Sequence, residues 1–432
     1  MRLIAGYKNK HQPISVCIAR VAPCGVRQSP QRKGSSLVFY QAVAVLLLNT
    51  LLIFACFELA ARGVFKMARV IANPTAQLVG ERNPRETVSY YQSQAWAEQY
   101  WYEFRLSGAQ NRYYPYVGWR RAPFKGQTIE IDQHGVRVTP GADCRPDAFH
   151  VFAFGESGMW GTGAPNWGTI PAYLQQGLAK LRPEPVCVRN FAEHAYVSMQ
   201  DLIMLLLQLR SGNRPDVVLF YNIGGDIYSA YQSGRAGLLE NFGQIAARFE
   251  GRQEPATLVN RLRRPVNWLR RTDAYALLDQ LLGKLTIAQP PQHAPTPRQL
   301  VTYESMGIDV AALSGSIVQD YMGHYQMVEA LAHKYGFKAF FFLPPTLALG
   351  HKPLTPEEQA MTQKLESEAA LYKLIKAVYH TIERDPAQYA HFYSLVHIFD
   401  DCDALMFIDT GHVTPIGNEL IAKRMLDIIQ AY

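Results

Sequence analysis

Three residues of the types that nucleophilic catalysis uses lie far apart in this sequence. Ser157 follows an apolar run in FAFGESGMWGTG, residues 152–163, and is flanked by glycines that favour a sharp turn. Asp409 and His412 lie three residues apart in FIDTGHVTPIGNELIAKRML, residues 407–426, ahead of an amphipathic helix. This spacing lets the carboxylate hold one imidazole nitrogen while the other faces a serine hydroxyl. The sequence therefore predicts a Ser-His-Asp triad and acyl-transfer chemistry.

The elements that must position these residues begin near residue 148, where short apolar runs alternate with helical periods. Five runs predict strands, the last of them weakly: residues 149–154, 186–191, 216–223, 338–345 and 404–408. Strand–helix alternation is typical of a parallel sheet with helices on both faces, which is a three-layer α/β/α fold. Sites in such folds lie at the carboxyl ends of the strands, where Ser157 is expected.

These blocks together resemble the SGNH (GDSL-like) hydrolase superfamily, in its membrane-anchored bacterial form. The resemblance covers about residues 148–432 outside an insertion. It rests on four blocks in order: the serine turn, VRNFAEHAYVSMQD (188–201), DVVLFYNIGGD (216–226) and the Asp-x-x-His loop. It implies a flavodoxin-like sheet of about five parallel strands, with Ser157 as nucleophile, His412 as base and Asp409 as orienting acid. No metal and no organic cofactor is implied.

The resemblance also implies an oxyanion hole, and here the sequence departs from the family pattern. The backbone N–H groups of Ser157 and Ala195 are the expected donors, although Ala195 replaces the usual glycine. Gly225 stands where the family has its side-chain asparagine donor, and Asn222, three residues earlier, is the candidate substitute. Loss of one donor costs ~10²–10³ in turnover. A catalytically impaired module that binds a glycan or an assembly partner therefore stays open as an alternative.

Two more polar residues of the second block, Glu193 and His194, are candidate substrate-binding residues, although positions on a helix or loop surface explain them about as well. The other histidines show no HExxH or comparable metal-ligand spacing. The six cysteines form no CxxC pair, so the sequence predicts no metal site. In an oxidising compartment two of Cys144, Cys187 and Cys402 would bridge, and the sequence does not say which two.

The N-terminal part carries all of the excess positive charge. Residues 1–36 hold seven basic residues and no acidic one, and the other 396 residues hold 36 of each sign. Residues 37–60 are long and apolar enough to cross the ~30 Å hydrocarbon layer as a helix. The charge asymmetry predicts a cytoplasmic tail at 1–36 and an outer, periplasmic C-terminal part. A balanced remainder gives no support for nucleic-acid binding.

Two further segments interrupt this organisation. Residues 61–145 read as a juxtamembrane connecting region that contains a short hairpin near residues 128–136. Residues 227–300 read as a helical insertion with a basic run, NRLRRPVNWLRR (260–271). The C-terminal domain is then expected to span residues 146–432.

The predicted function is a membrane-anchored serine ester hydrolase or O-acyltransferase. Acyl groups of an extracytoplasmic glycan are the expected substrate, from the family resemblance and the location. A lipid esterase or thioesterase is the enzymatic alternative, with the basic insertion resting on the membrane. The oligomeric state, the acyl group and the acceptor are not predicted.

Overall fold

The computed structural model describes residues 35–71, 83–240, 242–249, 301–384 and 389–432. The first element is the long helix α1, Ser35–Ile71. Its segment Val38–Gly63 has a mean hydropathy of 2.3, and Ala61 is the one buried residue among those of the segment that the structure describes. By length and composition α1 is a candidate membrane span that contains the predicted segment 37–60.

Residues 83–145 form small elements that pack on the main domain. After a 3-10 turn at Pro84–Thr87 come α2 (Ser89–Gln92), α3 (Ala97–Gly108), β1 (Asn111–Tyr114), β2 (Gly118–Arg121), β3 (Phe124–Lys125) and β4 (Glu130–Ile131). The strands form two antiparallel pairs, β1 with β2 and β3 with β4. Near the predicted hairpin, Ile131 pairs with Arg137 in an isolated bridge. Aromatic side chains of this region are buried in the same core as the main sheet, so residues 83–131 are part of one packed body.

The main sheet has five parallel strands. They are β5 (Phe149–Gly155), β6 (Val186–Asn190), β7 (Val217–Tyr221), β8 (Lys338–Leu343) and β9 (Phe392–Ser394). Their spatial order is β6-β5-β7-β8-β9 and every neighbouring pair is parallel. This is the flavodoxin-like order, in which the second strand in the chain lies outside the first. The predicted α/β class with about five parallel strands is confirmed.

Helices connect these strands and cover both faces of the sheet. In chain order they are α4 (Ser157–Trp160), α5 (Ile170–Leu181), α6 (Ser198–Arg210), α7 (Gly224–Ser233), α8 (Phe242–Phe249), α9 (Val310–Tyr335), α10 (Pro356–Ser367), α11 (Ala369–Glu383) and α12 (Pro415–Gln430). Helices α6, α7, α9 and α11 share one core with one face of the sheet. Helices α3, α5 and α12 share a second core with the other face.

Strand periodicity explains the two cores. Successive side chains of a strand point to opposite faces. In β5, Phe152 and Phe154 pack with α6 and α9, whereas Val151 and Ala153 pack with α5 and α12. All four are buried, which is why the sequence of β5 is mostly apolar instead of alternating.

Two sequence predictions need correction or restriction. The weak fifth strand at residues 404–408 is wrong, because the edge strand is β9 and residues 404–408 contribute only an isolated bridge from Phe407 to Val413. Of the predicted insertion at 227–300, the first residues continue the core helix α7 and residues 242–249 form α8. The basic run at 260–271 lies outside the described residues.

Among the three cysteines beyond the span, Cys144 and Cys187 form a disulfide and Cys402 is free. The bond joins the segment before β5 to β6, across 43 residues of sequence.

Candidate active site

Ser157 lies at the carboxyl end of β5, where the strand turns sharply into the short helix α4. The turn requires glycine at Gly155, whose φ is +149°. A Cβ added there would lie 2.2 Å from the carbonyl oxygen of Tyr221 on the neighbouring strand. The strand end and the close approach of β7 therefore fix where the Ser157 hydroxyl points.

The structure brings the three predicted triad residues together. Nε2 of His412 lies 2.6 Å from Oγ of Ser157, and Nδ1 of His412 lies 2.7 Å from Oδ2 of Asp409. The serine hydroxyl and the carboxylate therefore contact opposite nitrogens of one imidazole. This arrangement lets His412 accept the serine proton while Asp409 holds its tautomer and orientation.

Asp409 has further partners that keep it ionised. Its Oδ1 accepts hydrogen bonds from the backbone N–H groups of Gly411 and His412, at 2.9 and 2.7 Å. Its Oδ2 also forms an ion pair with the guanidinium of Arg85. Burial alone would raise the pKa of Asp409, but the neighbouring His412 and Arg85 and these hydrogen bonds hold it well below its usual range.

The loop that carries Asp409 and His412 is fixed on both sides. Backbone hydrogen bonds close it on itself, from Ile408 N–H to the carbonyl of His412, at 2.9 Å. The carbonyl of Thr410 accepts from Leu347 N–H and from the hydroxyl of Thr346, both at 3.1 Å. The loop after β8 thus braces the triad loop directly.

Two backbone N–H groups near Ser157 have no acceptor in the part of the chain that the structure describes. They belong to Ser157, the first residue of α4, and to Ala195, and both residues line the cleft. Ala195 has a φ of +60°, the left-handed conformation that glycine adopts more readily. The resemblance expects a glycine at this position, and alanine adopts the left-handed conformation here.

Gly225 is a glycine for a steric reason. A Cβ added there would lie 2.0 Å from the carbonyl oxygen of Tyr196, so asparagine does not fit this backbone. Asn222 does not replace it. Its amide nitrogen donates to Asp201 at 2.6 Å and its oxygen accepts from Tyr321 at 2.9 Å. The proposed role of Asn222 as an oxyanion donor is therefore corrected, because its side chain is buried in a separate polar network.

Glu193 and His194 have different surroundings. The Glu193 carboxylate is buried and accepts from the backbone N–H of Arg121 at 3.0 Å, with the Arg121 Nε 3.7 Å away. It is an internal ion-pair residue, which corrects its predicted role in substrate binding. His194 lines the cleft, and its Nε2 lies 2.7 Å from the Thr162 hydroxyl. Burial and the nearby Arg121 lower the pKa of His194 to about 3, so its imidazole is neutral at physiological pH.

Glu156, the residue before the nucleophile, ties the serine turn to the start of α7. Its carboxylate accepts a hydrogen bond from the backbone N–H of Gly224 at 2.8 Å. Burial, together with the charge of Asp226, raises the pKa of Glu156 to about 7. Glu156 thereby positions the turn and takes no part in the relay between Ser157 and His412.

The triad opens onto a cleft of about 1010 Å³. One wall comes from α10 and α11, where the apolar residues Met361, Leu365, Leu371 and Ile375 lie beside the charged residues Glu357, Lys364 and Glu368. The triad loop and the segment 83–88 that carries Arg85 also line the cleft. The volume suits a ligand of drug size or larger.

Solved structures similar to this one include esterases. An acetyl xylan esterase, AlAXEase, matches with a TM-score of 0.35 and 12% identity over 65% of this chain and 98% of that chain. A carbohydrate acetylesterase family member from Sinorhizobium meliloti matches with a TM-score of 0.29 and 13% identity, over 65% and 97%. A putative lipolytic protein of the G-D-S-L family from Desulfitobacterium hafniense DCB-2 matches with 0.30 and 9%, over 64% and 97%. No family model and no curated protein matches the chain.

The resemblance to the SGNH hydrolases rests on the four sequence blocks. The solved structures share only 9–13% identity with this chain, at TM-scores of 0.29–0.35, and assign no chemistry to it. The serine turn and the Asp-x-x-His loop stand where that resemblance expects them, at the carboxyl edge of the sheet.

Sequence reasoning missed Arg85. It lies outside the four blocks, in a segment with no periodic pattern, and reaches Asp409 only because residues 83–108 fold back onto the domain. No local signal in the sequence marks it. The apolar cleft residues of α10 and α11 were missed as well, because they look like ordinary core positions of amphipathic helices.

Proposed function

We propose that this protein is a serine ester hydrolase or O-acyltransferase. The observation that carries the proposal is the continuous relay from Ser157 Oγ through His412 to Asp409, with contacts of 2.6 and 2.7 Å. Hydrogen bonds of this length connect nucleophile, base and orienting acid in serine hydrolases. No step requires a metal or an organic cofactor.

The proposed reaction has two halves. Ser157 Oγ attacks the acyl carbonyl while its proton passes to Nε2 of His412, and the tetrahedral intermediate then expels the alcohol, which takes that proton. The acyl-enzyme next reacts with an acceptor hydroxyl, whose proton again passes to His412, and the second tetrahedral intermediate then expels Ser157 Oγ, which takes that proton back. If water is the acceptor the reaction is hydrolysis, and if a sugar hydroxyl is the acceptor it is O-acyl transfer.

The backbone N–H groups of Ser157 and Ala195 are the proposed oxyanion donors. They line the cleft beside the nucleophile and have no other acceptor within the described residues. A third donor from a side chain at position 225 is absent, since Gly225 occupies it. Because each donor contributes ~10²–10³ in turnover, we expect a slower enzyme than one with three.

The proposed location is the outer face of a cytoplasmic membrane. The candidate span in α1, the basic residues before it and the Cys144–Cys187 disulfide all support this location. An acylated surface or cell-wall glycan is the substrate that we propose there, in keeping with the family resemblance.

A second candidate is a lipid esterase or thioesterase. The apolar cleft residues Met361, Leu365, Leu371 and Ile375 favour it, because an acyl chain gains about 0.8 kcal/mol for each buried CH₂. Turnover of p-nitrophenyl esters of increasing chain length separates the candidates. A preference for acetyl supports the glycan deacylase or transferase, and a rate that rises with chain length supports the lipid esterase.

The proposal is tested by labelling the full chain, in detergent, with a fluorescent fluorophosphonate. We expect the parent to label, Ser157→Ala to lose all labelling, and His412→Ala to label at least about a hundredfold more slowly. Ser316→Ala, an exposed serine on α9, is the matched control and should label like the parent.

A folded parent protein that does not label would overturn the proposal and would leave the non-catalytic binding module as the better account. Labelling that survives Ser157→Ala would assign the reactivity to another serine and contradict the proposal equally. Circular dichroism of each variant establishes that loss of labelling is not loss of fold.

A further inference from the structure

We propose that His351, His397 and Asp400 form a site for a late first-row divalent cation, with Zn²⁺ as the expected occupant. The three residues come from two loops, one after β8 and one after β9. Their ligand atoms all lie within 4.8 Å of one another. The site is separate from the cleft, whose lining includes none of the three.

The distances between ligand atoms suit a small cation. Two ligands of a tetrahedral zinc ion with bonds of ~2.1 Å lie about 3.4 Å apart. Nδ1 of His351 lies 3.4 Å from Oδ2 of Asp400, and Nδ1 of His397 lies 2.8 Å from the same oxygen. The second distance must widen, by a side-chain rotation, for both imidazoles and the carboxylate to bind one ion.

The carboxylate is held in place before any ion binds. Oδ1 of Asp400 accepts a hydrogen bond from the backbone N–H of His351 at 2.8 Å, which leaves Oδ2 facing the two imidazoles. The imidazole rings are stacked nearly parallel, with centroids 5.3 Å apart and planes at 10°, so at least one ring must rotate before both present a nitrogen lone pair to one ion. A hydrogen bond to the non-ligating carboxylate oxygen, such as the one from the His351 N–H, orients the ligating oxygen and raises the affinity for metal.

The ligand set selects the class of cation. Two imidazoles and one carboxylate suit Zn²⁺, Ni²⁺, Co²⁺ or Cu²⁺, whereas Mg²⁺ and Ca²⁺ prefer oxygen ligands. The His351 side chain is 84% exposed and that of His397 is 55% exposed, so water can complete the coordination. Sequence spacing gave no sign of this site, because His351 lies 46 residues before His397 and on a different loop.

A bound ion would cross-link the loop after β8 to the loop after β9. The first of these loops also braces the triad loop, through Thr346 and Leu347 to the Thr410 carbonyl. We therefore expect zinc to stabilise this edge of the domain, whether or not the protein is an esterase.

The test is zinc binding to the metal-stripped full chain, in detergent at about pH 7.5, by isothermal titration calorimetry. We expect the double variant His351→Ala/His397→Ala to bind one equivalent fewer than the parent. Asp400→Asn keeps the shape of the side chain and should weaken this equivalent at least about tenfold. The matched control His333→Ala/His380→Ala removes two exposed helical histidines and should bind as the parent does.

Two further readouts make the result decisive. Co²⁺ should give visible d–d absorption that is lost in His351→Ala/His397→Ala and retained in the control, and Zn²⁺ but not Mg²⁺ should raise the melting temperature of the parent. Equal zinc stoichiometry in the site variant and the parent would overturn the proposal. A parent that binds this equivalent only above about 1 mM zinc would overturn it as well.

Discussion

At the scale of single residues, Asp409 lies between the imidazole of His412 and the guanidinium of Arg85. The histidine contact belongs to the relay, but the arginine contact comes from a segment more than 300 residues earlier in the chain. Arg85 touches neither Ser157 nor His412 in the described hydrogen bonds, so we regard it as a positioning residue. It holds the carboxylate in the orientation that His412 needs.

Replacing Arg85 by alanine should therefore reduce turnover more than binding. The Asp409 carboxylate loses a charge-assisted hydrogen bond worth about 1.5–3 kcal/mol, and part of this lost free energy raises the activation barrier. We expect kcat for a short p-nitrophenyl ester to fall about tenfold, with KM changed less than about twofold.

Two companions to that substitution separate positioning from general stability. Arg85→Lys keeps a cation near Asp409 and should recover part of the lost kcat, although a lysine cannot reproduce the guanidinium geometry. Arg112→Ala removes an exposed arginine of β1 and should leave kcat unchanged. An Arg85→Ala enzyme with unchanged kcat and raised KM would instead assign Arg85 to substrate binding.

The same residues show what sequence could and could not predict at this scale. Local geometry can be predicted from the sequence, as the spacing of Asp409 and His412 and the glycines around Ser157 show. Asn222 and Glu193 were misassigned because their roles depend on which way a buried side chain turns. That direction is set by tertiary partners such as Asp201 and Arg121, which are distant in sequence.

At the scale of elements, the start of α7 lies so close to the segment 195–197 that it excludes side chains at Gly225. An added Cβ would lie 2.0 Å from the backbone oxygen of Tyr196, and 3.1 Å from a carboxylate oxygen of Glu156. A backbone oxygen cannot turn away as a flexible side chain does. The residue that departs from the family pattern is thus required by this packing.

Gly225→Asn should therefore fail to restore a third oxyanion donor. We expect it and Gly225→Ala to lower the free energy of unfolding by about 2–4 kcal/mol, and neither to raise esterase turnover. Gly315→Ala on α9 is the matched control, because nothing lies within 4 Å of its added Cβ. It should be neutral or stabilising by up to about 1 kcal/mol. Thermal unfolding and p-nitrophenyl acetate turnover check both; a faster, equally stable Gly225→Asn would contradict this account.

Elements were predictable where they were long and buried on both faces. Strands β5 to β8 appear in the sequence as mostly apolar runs, interrupted by residues such as His150 and Arg189, because both of their faces lie in a core. The edge strand β9 has three residues with only Phe392 fully buried, so it gives no such run. Residues 404–408 are apolar because they pack beside the triad loop. A short apolar run of this kind has the same sequence pattern as a buried strand.

At the scale of the whole molecule, the segment 83–131 joins the domain rather than merely linking it to α1. Tyr91, Tyr100 and Trp101 are buried in the core that α5 and α12 share, and Arg85 reaches the triad. An isolated domain that begins at residue 146 would lack these contacts. The sequence did not show this, because aromatic residues in short irregular elements carry no periodicity.

The carboxyl ends of the strands also gather three buried carboxyl groups on which global stability depends. Burial raises the pKa of Asp201 well above its usual range. Burial together with neighbouring charges raises that of Glu156 to about 7, and burial raises that of Asp226 to about 7. Glu156 and Asp226 therefore keep their protons in the folded protein over a range where the unfolded chain, with ordinary values near 4, has lost them.

This difference fixes the sign of the pH dependence. Stability from the two protonated carboxyls is fully present below about pH 4 and is lost as the pH rises through about 7. We expect their contribution to the free energy of unfolding to fall between about pH 5 and pH 8, by no more than roughly 3 kcal/mol for each group.

Glu156→Gln and Asp226→Asn each replace the carboxyl group by a neutral amide of the same shape, so each should flatten the slope of the free energy of unfolding against pH. The exposed Glu98→Gln should not change it. Denaturant unfolding across this range measures the slopes, and a Glu156→Gln/Asp226→Asn slope equal to that of the parent would show that these carboxyls are ionised in the folded state.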